Sequence, residues 1–377
     1  MNKKISTAFR RLLFCAGIFA ALLLTLSNCA VFLDSYAWWF ISMLALIFPV
    51  LFCITAVFFF GWLFIKPRQS IAFAIPLLLS IPALLNSFAL NNPPAFNNSK
   101  PAGNFRVVTW NVGLLNLMAA NTSIAEANNA AIFQQLKSLK ADVVCLQEFF
   151  TAVVPGNEYN FIDSITKTMG YPYYYFSKDI PYYEGQFFSG NIIFSKHKII
   201  ESSRSVYVDP HFGALLKITI ESGKDTVDIF TSRLRSVNFG YNEYATIDKM
   251  KKISDFRIGA TASILKKLRA GFRERSGQLE IVKSDLQESI HPFVFAGDLN
   301  DVPTGYAYAI LKKNRQDVWI EKGFGIGRTF KYISHTLRID CIFTSKHFET
   351  VQTKRVISQG SDHYGLVTDI IIKKEAE

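Results

Sequence analysis

The stretch FVFAGDLNDVPTG, from Phe293 to Gly305, decides the fold that we predict for this chain. It begins with a short apolar run that is typical of a buried strand. The run enters a glycine, and Asp298, Asn300 and Asp301 then arrive within four positions, ahead of a Pro-Thr-Gly turn. Because a strand end holds side chains rigidly, we expect these polar groups to be aimed at a ligand.

Polar side chains mark the ends of other predicted strands as well. Asn111 lies near the end of FRVVTWNV and Glu148 near the end of ADVVCLQEFF, while Asp362 and His363 precede the last predicted strand. Taken singly, such residues have ordinary structural roles, since Asp and Asn are common in turns. Gathered at one edge, oxygen ligands suit Mg²⁺ or Mn²⁺, and a neighbouring imidazole suits transfer to a phosphoryl group.

The pattern around these residues predicts alternating strands and helices, and therefore sheets covered by helices. Two amphipathic helices are predicted, at 123–139 and 244–286. Strands are predicted at 105–112, 141–150, 189–196, 215–222, 225–234, 291–300, 338–345 and 366–373.

The N-terminal part of the chain has a different composition. Three apolar runs, Leu12–Phe32, Trp38–Ile65 and Ile71–Leu90, precede residue 95. Each reaches the roughly 20 residues that cross a bilayer as a helix. The first run would also fit a cleaved signal peptide, and LSNC at Leu26–Cys29 resembles a lipoprotein cleavage box, but the two runs that follow favour a retained helix.

Basic residues predict the orientation of these helices. The start MNKKISTAFRR and the turn KPRQS at Lys66–Ser70 are basic, whereas the loop Leu33–Trp38 has no Lys or Arg. The positive-inside rule then places the N-terminus inside and, after three spans, the rest of the chain outside the cytoplasm. We therefore predict a membrane domain at 1–92, a polar linker at 93–103 and a globular domain at 104–377, in an integral protein of a bacterial-type inner or plasma membrane.

The net charge of +11 does not by itself indicate a nucleic-acid partner, because residues 1–100 contribute +6 of it beside the apolar runs. Within the globular part, a basic run lies between Lys249 and Lys283. Such a helix could contact nucleic acid or anionic lipid, and it could equally be a solvated outer helix.

The blocks TWNV, LQE, GDLND, RIDCIF and GSDH, in this order, resemble the endonuclease/exonuclease/phosphatase superfamily. This superfamily includes DNase I-like nucleases, abasic-site endonucleases, inositol polyphosphate 5-phosphatases and neutral sphingomyelinases. The resemblance covers roughly residues 104–374. It implies an α/β (α+β) fold, a four-layer sandwich of two mixed β-sheets flanked by helices, here preceded by three transmembrane helices.

The resemblance also implies roles for the residues that match the family blocks. Glu148 matches the principal metal ligand, Asn111 the residue that supports metal and phosphate, and Asp362 a further metal-associated acid. The implied cofactor is Mg²⁺ or Mn²⁺. 

Four residues match the groups that act on the phosphate. Asp298 and Asn300 match the pair that orients the attacking water and the scissile phosphate. His363 matches the imidazole that contacts a phosphoryl oxygen, and Asp340 matches its partner acid. A carboxylate on one ring nitrogen fixes the tautomer and favours the charged imidazolium.

The chain departs from the family pattern at two positions. Many members carry a His where this chain has Arg233, and abasic-site endonucleases use a Tyr there. Arg cannot act as a general acid at ordinary pH, but it can hold a phosphate through two parallel hydrogen bonds. Gly113 stands where abasic-site endonucleases often have an acid, which weakens a DNA-repair interpretation.

The sequence therefore predicts a membrane-anchored, metal-dependent phosphoesterase that uses water to attack a phosphodiester or phosphomonoester. Nucleic acid and phospholipid headgroups both remain candidate substrates, with Arg233 as the substrate-binding residue. The alternative is a catalytically weak, membrane-tethered protein of the same fold that binds phosphate or another ligand. The sequence does not predict an oligomeric state.

Overall fold

The computed structural model describes residues 3–117, 121–209, 213–237, 239 and 258–373. The N-terminal part of the predicted basic helix, with Lys249, Lys251, Lys252 and Arg257, lies outside these residues. The described helices are α1 Lys3–Cys29, α2 Trp39–Leu46, α3 Phe48–Ile65, α4 Pro67–Leu79, α5 Ile81–Ser87, α6 Thr122–Leu139, α7 Phe161–Met169, α8 Ile258–Glu288, α9 Tyr306–Lys312 and α10 Val318–Lys322.

The strands form two large sheets and one short pair. The described strands are β1 Ala89–Leu90, β2 Phe105–Asn111, β3 Val143–Ala152, β4 Tyr173–Phe176, β5 Ile180–Tyr182, β6 Phe187–Ser195, β7 Ile199–Val206, β8 Ala214–Ser222, β9 Asp225–Thr231, β10 Phe293–Asp298, β11 Gln316–Asp317, β12 Phe324–Gly325, β13 Asp340–Thr344, β14 Phe348–Val356 and β15 Gly365–Ile372.

Both large sheets are mixed. One has seven strands, in the order β14-β15-β2-β3-β6-β4 with β5 added beside β6, and β2 and β3 run parallel. The other has six, in the order β11-β13-β10-β9-β8-β7, and β9 and β10 run parallel. The two parallel pairs direct the ends of β2, β3, β9 and β10 to one edge of the domain.

The two sheets pack face to face over apolar side chains such as Val107, Cys145, Ile218 and Ala296. Helix α6 covers the outer face of the seven-stranded sheet through Ile132 and other apolar residues. Helices α8 and α9 cover the outer face of the six-stranded sheet. This arrangement confirms the predicted α/β four-layer sandwich.

The apolar N-terminal helices follow the three predicted runs only in part. Two helical segments, Thr7–Cys29 and Phe48–Ile65, are long and apolar enough to cross a membrane. Helices α4 and α5 form a third span only if they are taken as one helix bent by 45°. The second predicted run, Trp38–Ile65, is not one helix, because it breaks at Ile47 into α2 and α3.

The predicted linker region lies against the globular domain. The backbone oxygens of Asn97 and Asn98 accept hydrogen bonds from Arg106, at 3.0 and 2.8 Å. The ring of Phe96 lies under the guanidinium of Arg106 and the ammonium of Lys354, 5.0 and 4.5 Å from its centroid. The segment is therefore fixed to the sheet by hydrogen bonds and cation–π contacts, each of modest energy.

Candidate active site

The end of β10 places the GDLN residues at the edge where the two sheets meet. A side chain at Gly297 would put its Cβ 2.2 Å from the backbone oxygen of Ser232, so only glycine allows β9 and β10 to approach here. Asp298 follows and is fully buried. Asn300 adopts a φ of 48°, which Asn tolerates better than most residues.

The two acids of GDLND have different surroundings. The Asp298 carboxylate accepts hydrogen bonds from the Asn300 backbone NH and amide, at 2.8 and 3.0 Å. The Asp301 carboxylate instead accepts from the backbone NH groups of Val302 and Ala307, both at 2.9 Å. Asp298 and Asn300 therefore belong to the group of polar residues at the edge where the two sheets meet, which we call the cleft. Asp301 instead fixes the turn into α9.

A β-bulge in β3 places Glu148. Leu146 pairs with Ile192 of β6, but Phe149 pairs with Gly190, so two residues of β3 lie opposite one residue of β6. Glu148 occupies the bulge with a φ of 50°. A bulge commonly redirects a side chain beside an active site, and here it leaves the Glu148 side chain 24% exposed at the mouth of the cleft.

Asn111, at the end of β2, joins the two acids. Its amide nitrogen donates to Glu148 Oε1 and to Asp298 Oδ2, both at 3.0 Å. Its amide oxygen accepts from the backbone NH of Gly113, also at 3.0 Å. In this orientation Asn111 holds both carboxylates in place, and its oxygen faces Gly113 rather than Glu148.

His363 and Asp340 form a buried pair. His363 Nδ1 lies 2.9 Å from Asp340 Oδ2, and the two side chains are 5% and 0% exposed. Burial acts to lower the pKa of His363, but Asp340 and Asp298 outweigh it and raise this pKa to about 10. The ring is therefore an imidazolium at neutral pH, with Nε2 as a proton donor.

Burial and neighbouring charges also shift the pKa values of Asp298 and Glu148. Burial, reinforced by the charge of Asp340, raises the pKa of Asp298 to about 6. Burial opposes ionisation of Glu148 too, but Arg233, Asn111 and His363 together bring its pKa below its ordinary value. Both carboxylates are thus mainly ionised at pH 7, and Asp298 is the better proton acceptor.

Arg233 bridges the two acids from the end of β9. Its Nε lies 2.7 Å from Glu148 Oε1 and 3.8 Å from Asp298 Oδ2. A backbone bridge to Asp298 fixes the position of residue 233 beside β10. The guanidinium side chain is 28% exposed, so one side of it is open to an anionic ligand.

Asp362 lies on the other side of Asn111. The Ser361 hydroxyl donates to the Asn111 backbone oxygen at 2.7 Å and contacts Asp362 Oδ1 at 3.3 Å. The structure thus joins Asn111, Glu148, Asp298, Asn300 and Arg233 by direct contacts, and His363 with Asp340 by another. Asp362 is linked to this group through Ser361.

The donor atoms present fit a hard divalent cation. One ligand atom from each of Asp298, Asp340 and His363 can be chosen so that all three lie within 4.8 Å of one another. Among the described residues, Asp340 Oδ1 is a buried oxygen without a hydrogen-bond partner. Carboxylate oxygens suit Mg²⁺ or Mn²⁺, whereas the protonated His363 ring has no lone pair for a metal, so the acids of the cleft are the candidate ligands.

Two supporting residues were not predicted from the sequence. Thr329 Oγ1 accepts from the backbone NH groups of Ile339 and Asp340, at 2.9 and 3.1 Å, and so fixes the start of β13. The ring of Phe330 packs edge-on against the His363 ring, with centroids 5.0 Å apart. The only sequence signal was the position of both residues shortly before RIDCIF, within a stretch that has no strand pattern.

The order of these groups along the chain also matches a family model. Residues 108–363 match the model of the Endonuclease/Exonuclease/phosphatase family. The chain belongs to this family. Family members are hydrolases that act on phosphoester bonds. Residues 10–87 match a second model, described as a domain of unknown function (DUF8431).

Several solved structures are similar to this endonuclease/exonuclease/phosphatase family member. An endonuclease/exonuclease/phosphatase from Beutenbergia cavernae DSM 12333 is 22% identical with a TM-score of 0.50, over 71% of this chain and 72% of that one. D. rerio TDP2 complexed with a single-strand DNA product is 18% identical, with a TM-score of 0.48, over 71% and 98%. The human Nocturnin catalytic domain is 17% identical, with a TM-score of 0.49, over 73% and 96%. No curated protein matches the chain.

Proposed function

We propose that this protein is a membrane-anchored, divalent-metal-dependent phosphoesterase whose water nucleophile attacks phosphorus in line with the leaving group. The observation that carries the proposal is the buried His363–Asp340 pair within reach of Asp298. A carboxylate of raised pKa can accept the proton of the attacking water, and a positively charged donor beside it can stabilise the charge that develops on the phosphate. Asn300 and Asn111 hold that carboxylate from two sides.

Each side chain has one role in this mechanism. Asp298 orients the attacking water and accepts its proton. The His363 imidazolium donates a hydrogen bond to a phosphoryl oxygen as negative charge develops there, while Asp340 keeps the ring charged and oriented. Arg233 clamps a second phosphoryl oxygen with the open side of its guanidinium.

Glu148 and Asp362 would hold Mg²⁺ or Mn²⁺, and Asn111 would join them if its amide turned its oxygen inward. When bound, the cation supplies positive charge against the phosphate and acidifies water. Because Arg233 already neutralises Glu148, cation binding has to compete with the Arg233–Glu148 ion pair of 2.7 Å.

Metal dependence is the first test, on the full-length protein in detergent. We expect bis(4-nitrophenyl) phosphate to be hydrolysed with Mg²⁺ or Mn²⁺ and not with EDTA. Glu148→Gln should weaken Mn²⁺ binding at least about tenfold in calorimetry, since it removes a charged ligand. Glu158→Gln, which changes an exposed acid, is the matched control. Equal activity in EDTA would contradict the metal requirement.

The second test concerns Arg233. Removing a charge-assisted phosphate contact costs about 1.5–3 kcal/mol, so Arg233→Gln should lower kcat/KM by about 10- to 100-fold. Arg233→His should lower it too, because a neutral imidazole is a poorer clamp. The control is Arg204→Gln, which breaks an ion pair with Asp179 on another edge of the sheet.

A large gain in turnover for Arg233→His would instead favour the second candidate function. In that case the domain is a catalytically weak, membrane-tethered phosphate-binding protein, and Arg233 occupies the place of a lost leaving-group donor. The ion pair between Arg233 and Glu148 is the observation that favours this alternative.

We also propose that the catalytic domain lies outside the cytoplasm. Lys66 lies between α3 and α4, and Arg68 lies in the first turn of α4, at the ends of these helices opposite Phe48 and Leu79. The opposite helix ends contact that domain, since Asp34 bonds to Ser276 and Ala89 pairs with Gly325. If the basic residues lie on the cytoplasmic side, the catalytic domain lies on the opposite side of the membrane. A reporter fused to the C-terminus that is active only in the cytoplasm would contradict this orientation.

A further inference from the structure

Helix α2 connects the apolar helices to the edge of the two sheets that carries Asp298, Asp340 and His363, which we call the catalytic edge. Ala45 packs in one cluster with Val302, Phe330 and Ile339. The Thr304 hydroxyl also donates to the Ala45 backbone oxygen, at 2.9 Å. Phe330 touches the His363 ring, so one side chain separates α2 from the imidazolium that we propose as a hydrogen-bond donor to the phosphate. Helix α3 begins at Phe48, about 5 Å farther along the chain at 1.5 Å per helical residue.

A second connection reaches the same edge. The Arg338 guanidinium donates to the Asn86 backbone oxygen at 2.7 Å, at the end of α5. Arg338 lies two residues before Asp340. Because both α2 and α5 contact the segments that carry the catalytic groups, the cleft is held beside the ends of the apolar helices and not on the remote side of the domain.

An apolar groove lies between α2 and α8. Its volume is about 360 Å³, and its lining includes Trp39, Met43, Leu46, Leu265 and Leu268. Leu46 also packs against the cluster around Phe330, so the groove and the catalytic edge share a wall. The groove continues to Ile47, directly before the start of α3.

Cationic groups border this groove. The Arg269 guanidinium lies over the Trp39 ring, 5.7 Å from its centroid, and the Arg273 guanidinium lies over Tyr36 at 4.2 Å. Lys266 is exposed one position after Leu265. Apolar lining beside exposed cations suits an amphiphile with an anionic head, which is the chemistry of a phospholipid at a bilayer surface.

We infer that this groove binds an acyl chain of a membrane phospholipid and that the substrate is the phosphoester of such a lipid. The inference rests on the proposed function, because it names the substrate class of that site. In the reaction, water adds across one P–O bond: phosphorus takes the hydroxyl, and the departing alcohol oxygen takes a proton.

Binding can be tested without activity. The full-length protein would be placed in nanodiscs that contain phosphatidylglycerol with a diazirine in one acyl chain, and the photolabelled peptides would be mapped. We expect labelling at Met43 and at Leu265, and labelling at both sites should fall at least about threefold in Leu265→Glu, which puts a charge into the groove. Labelling confined to α1, α3 and α4 would overturn the inference.

Turnover provides the second readout, as the ratio of activity on phosphatidylglycerol vesicles to activity on bis(4-nitrophenyl) phosphate. We expect this ratio to fall about tenfold in Leu265→Glu, equivalent to about 1.4 kcal/mol, and to be unchanged in Ile290→Glu, an exposed apolar residue outside the groove. If the soluble diester is cleaved but DNA or RNA is preferred to vesicles, the lipid inference is wrong and the phosphoesterase stands. If no phosphoester is cleaved, both are wrong.

Discussion

Replacing Asp298 by alanine is expected to lower kcat by about 10³-fold while leaving the fold intact, because a general base typically contributes 10²–10⁴. The carboxylate accepts hydrogen bonds from Asn111 and Asn300, and it lies in one buried cluster with Asp340 and His363. Steady-state kinetics on a chromogenic phosphodiester and a thermal melt of the same preparation would measure the two effects separately.

Asp301→Ala is the matched control from the same motif. Asp301 accepts backbone hydrogen bonds and lies 3.8 Å from Arg275, so its loss should lower the melting temperature. Activity per folded molecule should change far less than in Asp298→Ala. If both variants lose activity equally, the assignment of Asp298 as the base is wrong, and the motif acts only as a structural turn.

Replacing Arg106 by leucine is expected to cost about 3–5 kcal/mol of unfolding free energy, because it leaves a buried carboxylate unpaired. The guanidinium contacts both oxygens of Asp369, at 2.5 and 2.8 Å, and both side chains of this ion pair are 0% exposed. At about 2–4 °C per kcal/mol for a domain of this size, the melting temperature should fall by about 10 °C.

Two comparisons identify the cause of this effect. The double variant Arg106→Leu, Asp369→Leu should recover much of the stability, since apolar pairs often replace buried ion pairs without loss. Lys167→Ala breaks an exposed i,i+4 pair with Asp163 and should cost about 0.5 kcal/mol or less. A small loss for Arg106→Leu would mean that water reaches Asp369.

Sequence reasoning predicted the fold well where local pattern and burial agree. The run before Asp298 and the run ending at Asn111 are fully buried strands, as the apolar residues in each indicate, although the second also buries Arg106. Strands β7 and β14 were missed, because both lie at sheet edges and carry many polar residues, and β7 has no fully buried position. Edge strands have a weak hydrophobic signal, so only pairing with a neighbour defines them.

The candidate site was predictable as a set of residues but not as a geometry. No local pattern indicates that β3 bulges at Glu148, because a bulge depends on the register with β6. The contact between Arg233 and Glu148 joins positions far apart in sequence and depends on the parallel pairing of β9 with β10. The same limit applies to Arg275, which belongs to the predicted basic run but is buried against the Arg235 backbone.

The boundaries of the predicted membrane runs differ from those of the observed helices for a related reason. Composition extends the second run through Trp38–Ile65, yet α2 packs on the catalytic domain through Ile41 and Ala45. An apolar residue has the same hydropathy whether its surroundings are lipid or protein. Only the contact with Val302 and Ile339 distinguishes a docked helix from a spanning one.

The catalytic domain contacts α2 and α5, and the segment around Phe96 packs against it. These contacts restrict rotation of the domain relative to the apolar helices. With the apolar helices embedded in a bilayer, as we propose, its cleft would have one height and one orientation above that bilayer. A substrate that resides in the membrane would reach such a cleft by lateral diffusion, a search in two dimensions rather than three. The rate would follow the mole fraction of substrate in the membrane, and diluting the bilayer with inert lipid would slow the reaction even at constant bulk concentration.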